Sequence, residues 1–387
     1  MSSSEKDPRR ITTLLAVLVA AAALAFGLAA CGGGDDSGIN GGDTEAEEVK
    51  LEGKPSGEVT ISNWPLYIDK QTVPDFEKET GVKVKYIEDV NANEEFFAKM
   101  DPLLKQGESG GRSLFVVTDW MVAKMKDLGY LQKLDKSALP NFEQNLVSNL
   151  REPSFDPNRE YSAPWQSGMT GIIVRKDLAP DVKSICDLFD PQYKGKVEML
   201  NELRDTVPLV MKCLGIDPTG ASEEDWMKAI DKIGAASESG QIRRFTGNDY
   251  AADLTSGNAV AVIGWSGDAV QLQADNPEIE WRMPTEGCIL WSDNMVIPVG
   301  APNPTAAEAF MDYVYDPENQ AQIEAYVNYV SPVENVKPIL LEEEPEIAKN
   351  QLIFPSNSFT KNCSIQPSPS EEEAQNLNRA FNAVLNG

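Results

Sequence analysis

Between Glu58 and Leu128, apolar runs of strand length alternate with amphipathic stretches of helical length. Glu58-Val-Thr-Ile-Ser-Asn-Trp64 reads as a short buried strand, a helical stretch follows around Val73 to Thr80, and Val82-Lys-Val-Lys-Tyr-Ile87 alternates as a strand does. Glu94 to Lys105 is helix-like. After the Gly-rich turn between Gly107 and Gly111, the apolar strand Leu114-Phe-Val-Val117 runs into Thr118-Asp119-Trp120. Val122, Met125 and Leu128 then recur at helical spacing, with Gly129 as the stop. This β-α-β-α-β order calls for an α/β fold with a parallel sheet covered by helices, and such sheets bind ligands beyond the carboxyl ends of their strands. Trp64 and Trp120 fall at those ends.

A second block of the same kind begins near Gly168. It predicts strands around Thr170 to Val174, Lys196 to Leu200 and Ala259 to Ile263, with helices around Val207 to Leu214 and Glu223 to Ile233. It too ends in an aromatic residue, Trp265. The run from Gly287 to Pro298 is long enough to cross from one block to the other and reads as a hinge strand. No repeat of fixed period is present, which argues against solenoids and propellers.

Ahead of this body, Lys6, Arg9 and Arg10 precede an uncharged run from Ile11 to Ala30, the order of a signal peptide. Leu28-Ala29-Ala30-Cys31 resembles the bacterial lipobox, in which the cysteine is lipidated and becomes the new N-terminus. An uncleaved membrane helix over the same run is the competing reading. Arg9-Arg10 also admits a twin-arginine signal, in the poor context of Asp7, Pro8 and Ile11. The Gly- and acid-rich stretch from Gly32 to about Gly57 buries too little to order itself and reads as a tether. The expected location is extracytoplasmic, anchored by lipid to the outer face of the membrane.

The 387 residues carry 34 Lys+Arg against 61 Asp+Glu, a net charge of −27, and no histidine. Such a surface repels nucleic acid and anionic headgroups, so acyl chains must supply the membrane link. Without imidazole there is no Ser-His-Asp or Cys-His nucleophile and no His-ligated zinc. No P-loop occurs, so the chain does not hydrolyse ATP by that route; no cofactor and no metal ligand is assigned. Four cysteines follow the anchor, in an oxidising compartment, and allow three connectivities. Cys186 with Cys213 and Cys288 with Cys363 is the pairing adopted; a four-thiolate zinc site competes, without any C-x-x-C pair to support it.

Aromatic residues and carboxylates recur together at strand-to-loop junctions: Trp64 with Tyr67, Trp120 beside Asp119, Glu202 with Asp205, Trp265 near Asp268, Trp291 with Asp293. Taken singly, such aromatics are ordinary core residues and such acids ordinary caps. Taken together they suit a ligand apolar along its length and cationic at points. Ring faces attract ammonium groups by about 0.5–2 kcal/mol each and cover methylenes, while carboxylates neutralise the charge. A polyamine has that form.

From about Glu58 onward the chain resembles the spermidine/putrescine-binding proteins of bacterial ABC importers. The resemblance is carried by Ser62-Asn63-Trp64 with Tyr67, Thr118-Asp-Trp120-Met-Val-Ala-Lys-Met125, Asp187-Leu-Phe-Asp-Pro-Gln-Tyr-Lys-Gly195, Gly264-Trp-Ser-Gly267, Glu286-Gly-Cys-Ile-Leu-Trp-Ser-Asp293 and Asn328-Tyr-Val-Ser-Pro332. It implies a bilobal periplasmic-binding-protein-like fold, two α/β lobes joined by crossing hinge strands. The expected division is a signal peptide at 1–30, a tether at 31–57, one lobe from 58–167 plus 293–337, and the other from 168–292 plus 338–387. Trp64, Tyr67, Trp120, Trp265, Trp291 and Tyr329 would form aromatic walls, Glu202 and Asp205 would hold a terminal ammonium, and Asp293 would meet an inner amine. Thr118 and Gln366 match polar contacts. The implied partners are a polyamine, a membrane permease and a separate ATPase, with the chain itself a monomer and not an enzyme.

Two departures from the family pattern bear on selectivity. Pro65-Leu66 stands where small polar or acidic residues are usual, and Trp120 replaces a tyrosine. Either Asp119 supplies the missing anion for a long polyamine, or the site takes a shorter or singly charged amine. Other readings are capture of another solute (an organic cation, a phosphonate, a sugar or a metal ion), a carboxylate-dependent hydrolase using Glu202, Asp205 and Asp293, and an adhesive lipoprotein with no saturable ligand.

Overall fold

Ten strands form one mixed sheet in the computed structural model, which describes residues 53–387. The expected signal peptide, Cys31 and the tether up to position 52 lie outside the described residues. The strands are β1 Glu58–Asn63, β2 Lys83–Glu88, β3 Leu114–Thr118, β4 Ser162–Arg175, β5 Val197–Leu200, β6 Ile242–Thr246, β7 Ala261–Trp265, β8 Ile279–Arg282, β9 Ile289–Val296 and β10 Ser364–Ile365. Their order is β2-β1-β3-β9-β4-β7-β5-β6, with β10 beside β9 and β8 beside β4.

Two parallel arms are legible in that order. β1 pairs in parallel with β2 and β3, and β5 with β6 and β7. The helices that cover them are α1 Thr72–Thr80, α2 Asn93–Leu104, α3 Asp119–Asp127, α4 Pro140–Asn145, α5 Leu203–Cys213, α6 Glu223–Glu238, α7 Tyr250–Ser256, α8 Ser266–Asp275, α9 Pro304–Val314 and α10 Pro317–Val327. β3 is buried throughout, as a strand covered on both faces must be. α6 opens on a capping box between Ser222 and Asp225 and buries Trp226, Ala229, Ile230 and Ile233, one stripe at helical period.

The centre differs from the all-parallel expectation. β9 lies antiparallel to β3 on one side and to β4 on the other, and β4 is antiparallel to β7. The hinge strand foreseen between Gly287 and Pro298 is β9, and its partner β4 runs from Ser162, not from Thr170. Pro164 and Gly168 interrupt the apolar pattern there, and the register shifts between Pro164 and Gln166. Along β4, residues 162–170 face β9 while residues 170–174 face β7, so the strand belongs to both arms. β6 was not foreseen, because Arg243 and Arg244 break its apolar run. α5 begins at Leu203, with Pro208 inside it, rather than near Val207. Cys186 is bonded to Cys213 and Cys288 to Cys363, with Cα atoms 5.2 and 4.3 Å apart.

Candidate functional site

A slot opens where the two arms meet, with about 410 Å³ of space free of protein atoms, the open solvent at its mouth included. Trp64 directly follows β1, Thr118 ends β3, Glu202 follows β5 and N-caps α5, and Trp265 ends β7. All four therefore lie at carboxyl ends of parallel strands, where an open α/β sheet leaves a crevice. Trp291 and Asp293 stand two residues apart on β9, which places both on one face of that strand. Asp293 is directly opposite Thr118 in the β3–β9 register.

The lining contains four acidic residues and no basic one. Glu202, Asp205 and Asp293 are each only 4% exposed. Asp293 accepts from Thr118 Oγ1 at 2.7 Å and from Tyr67 Oη at 3.1 Å. Asp205 accepts from Thr170 Oγ1, and from Gln366 Nε2 at 3.1 Å. Glu202 accepts from the backbone N–H of Asn93 at 2.7 Å and from its Nδ2 at 3.3 Å. Asp268, partly buried, accepts from Tyr329 Oη and Tyr250 Oη, both at 2.6 Å, and from Asn248 Nδ2 at 2.8 Å.

These hydrogen bonds do not replace the lost water. Burial pushes Glu202, Asp205 and Asp293 up to about 7 each, and Asp205 raises Glu202 further, as Asp293 does Asp205. Burial raises Asp268 as well, against the three donors that hold it. Two further acceptors on the lining, Gln366 Oε1 and Asn248 Oδ1, are buried and have no partner.

Aromatic rings wall the slot. Trp64 and Trp265 meet edge to face at 6.0 Å, joining the two arms; Tyr67 packs on Tyr329 at 5.1 Å and Tyr329 on Trp291 at 5.6 Å. Trp291 Nε1 donates to Thr170 Oγ1 at 3.0 Å, which links the wall to the Asp205 hydrogen bond. Glycines make room for it: a Cβ at Gly168 would lie 2.4 Å from Trp291, and one at Gly267 2.3 Å from the Tyr329 ring.

Of the residues singled out from sequence, the slot brings together Trp64, Tyr67, Thr118, Glu202, Asp205, Trp265, Trp291, Asp293, Tyr329 and Gln366. Asp119 and Trp120 do not line it. α3 begins at Asp119, so the chain turns there: Asp119 accepts from Asn294 Nδ2 at 2.7 Å, while the Trp120 ring lies under the Arg204 guanidinium at 3.8 Å. Burial raises Asp119 to about 6, with Asn294 and Arg159 opposing the rise. Missed altogether were Asn93 and Asn248. Asp268 was visible only as a neighbour of Trp265, and Pro65 only as a departure from the pattern.

Comparison with known proteins follows the same lines. Residues 71–355 match the model of the family described as bacterial extracellular solute-binding protein. The spermidine/putrescine-binding periplasmic protein of Escherichia coli is 30% identical over 305 residues, 78% of this chain and 84% of that protein. A putrescine/agmatine-binding protein of Pseudomonas aeruginosa is 29% identical over 315 residues, covering 75% of this chain and 83% of its own. Among solved structures, a putative spermidine/putrescine ABC transporter protein from Listeria monocytogenes superposes with a TM-score of 0.77 at 30% identity, over 85% of this chain and 99% of its own.

Proposed function

The chain belongs to the family of bacterial extracellular solute-binding proteins, and from that premise we propose that it captures a polyamine of the spermidine/putrescine class and delivers it to an ABC importer. The observation that carries this reading is the charge of the lining: four carboxylates and two unpaired amide oxygens between aromatic rings, with no basic side chain among them and one unpaired neutral donor, Trp64 Nε1. An uncompensated buried carboxylate costs several kcal/mol, and a bound ammonium relieves that cost. In this reading Glu202 and Asp205 take a terminal ammonium, with Gln366 Oε1 as a further acceptor. Asp293, steadied by Tyr67 and Thr118, meets the next amine. Trp64, Tyr67, Trp265, Trp291 and Tyr329 cover the methylenes, and Asp268 holds the Tyr329 hydroxyl in place.

Asp119 is turned to Asn294 and does not line the slot, which favours the second alternative weighed from sequence, a shorter or singly charged amine. The arms at 58–167 plus 293–337 and at 168–292 plus 338–387 act as the two lobes that close on it, with β4 and β9 as the crossing strands. Lipidation at Cys31 tethers the chain to the outer face of the membrane, where a permease receives the ligand and a separate ATPase drives transport.

Three tryptophans on the lining make intrinsic fluorescence the test. Titration with putrescine is expected to give a saturable change in emission that Trp291→Ala makes smaller and shifts to higher concentration. An emission spectrum that no polyamine alters would remove the proposal. Exchange of Cys31 for Ser is expected to release the protein from the membrane fraction.

A further inference from the structure

The segment that brings Gln366 to the slot is held by few contacts of its own. β10 is two residues long and pairs Ser364 with Ile289 and Ile365 with Leu290. The Ser364 N–H donates to Cys288 O at 2.9 Å and the Gln366 N–H to Leu290 O at 2.8 Å. Ile365 is 76% exposed, so no apolar anchor accompanies them. Two such bonds are offset by the entropy of fixing the residues that make them.

What precedes β10 is built far more tightly. Cys363 stands immediately before β10 and Cys288 immediately before β9, and the two are bonded. Beside the bridge the backbones touch: Gly287 has φ +92°, and a Cβ there would lie 1.9 Å from Asn362 O. Lys212 Nζ donates across the same crossing, to Asn362 O at 3.2 Å and Glu286 O at 3.4 Å. Three residues beyond the bridge, Gln366 Nε2 reaches Asp205 at 3.1 Å and leaves Oε1 buried and unpaired.

We propose that Cys288 and Cys363 are a positioning pair for the slot: their bond pins the start of β10 to β9 and thereby holds the Gln366 amide against Asp205. The bridge constrains the chain near its crossing, and the short strand transmits that constraint for three residues. That Gln366 then meets an ammonium rests on the reading of the slot given above; the hold on β10 does not.

Two measurements on the full-length chain separate these points. Hydrogen–deuterium exchange without ligand is expected to show the Ser364 and Gln366 amides at least tenfold faster in C288S/C363S, with β9 still protected. C186S/C213S, which removes the other bridge, is expected to leave β10 unchanged. In titration with putrescine and spermidine, Q366A and C288S/C363S are each expected to weaken binding about tenfold, the scale of one hydrogen bond to a charged group. The triple variant is expected to lose no more than either. A glycine inserted between Cys363 and Ser364 keeps the bridge and shifts Gln366 by one position, onto the other face; it is expected to give the same loss, and it serves if C288S/C363S does not fold. Unchanged β10 exchange in C288S/C363S, or losses that multiply to about a hundredfold in the triple variant, would overturn the proposal. If neither amine binds the unaltered chain while β10 exchange still accelerates, the polyamine reading fails and the role of the bridge stands.

Discussion

The backbone N–H of Asn93, at the start of α2, donates to Glu202 Oε1 at 2.7 Å, and the two residues belong to different arms of the sheet. Glu202 is also the N-cap residue of α5, but its side chain makes no cap bond there; its carboxylate is turned to the positive end of α2. The Asn93 side chain continues the link to Thr118 Oγ1 at 2.9 Å, and Thr118 passes it to Asp293 at 2.7 Å. Two acids of the slot, 91 positions apart, are thus joined through two residues that carry no charge, Asn93 and Thr118.

Asn93→Ala removes the side-chain part of this relay and keeps the backbone N–H. Stability is expected to fall by about 1–2 kcal/mol, the scale of lost buried hydrogen bonds, and amine affinity by roughly tenfold or less. Thermal melts and titration of the same preparation measure both. An unaltered protein on both counts would contradict the relay.

Protons are expected to leave when the ligand enters. Glu202, Asp205 and Asp293 sit near 7 in the ligand-free fold, against about 4 in an unfolded chain. The fold therefore holds more protons than the unfolded chain between these values. The stability these groups contribute is fully present below about pH 4 and is lost as pH rises through 7. A cation selects the ionised forms, so affinity is expected to rise from pH 6 to pH 8. Calorimetry in buffers of different ionisation enthalpy counts the released protons; zero release near pH 6.5 would contradict the assignment.

Asp293→Asn and Trp291→Ala are each expected to weaken binding by about 1–3 kcal/mol, through loss of a charge-assisted contact or of a ring face. Asp119→Asn, one position from Thr118 but outside the slot, is expected to leave affinity within about threefold. Titration of the three variants distinguishes a local site from a general effect of acidic charge. Equal losses at Asp119 and Asp293 would place the site wrongly.

Much of this was legible in sequence because parallel strands end where their apolar runs end. Trp64, Thr118 and Trp265 mark such ends, and the spacing of Trp291 and Asp293 fits one face of a strand. Trp120 follows a strand end as well yet does not line the slot, since α3 starts without a loop and turns successive side chains to different sides. Asn93 gives no signal because its shortest bond to Glu202 comes from a backbone N–H, which almost any residue carries, and its side chain acts on residues distant in sequence. Asn248 follows β6, whose Arg243 and Arg244 hide the strand; they pair with Glu198 and Asp253 away from the slot. Pairing of β9 with both arms is a long-range relationship that local patterning does not carry.

Gly267→Ala and Gly168→Ala test the walls by filling rather than emptying. The added methyl would meet Tyr329 at 2.3 Å or Trp291 at 2.4 Å, so the ring must move. Each is expected to cost about 1–3 kcal/mol of stability, as overpacking does, and to weaken amine binding. Melting curves and titrations measure the two effects; a Gly267→Ala variant that binds as the parent does would show that Tyr329 is not part of the wall.

The claim at the centre is that an anionic, ring-lined slot between the two arms takes a slender cation. Isothermal titration of the soluble body with putrescine, spermidine, spermine and uncharged 1,4-butanediol tests it most directly. Saturable one-to-one binding of at least one amine is expected, with no heat from the diol. Absence of saturable binding for all three amines, or equal binding of the diol, would contradict it.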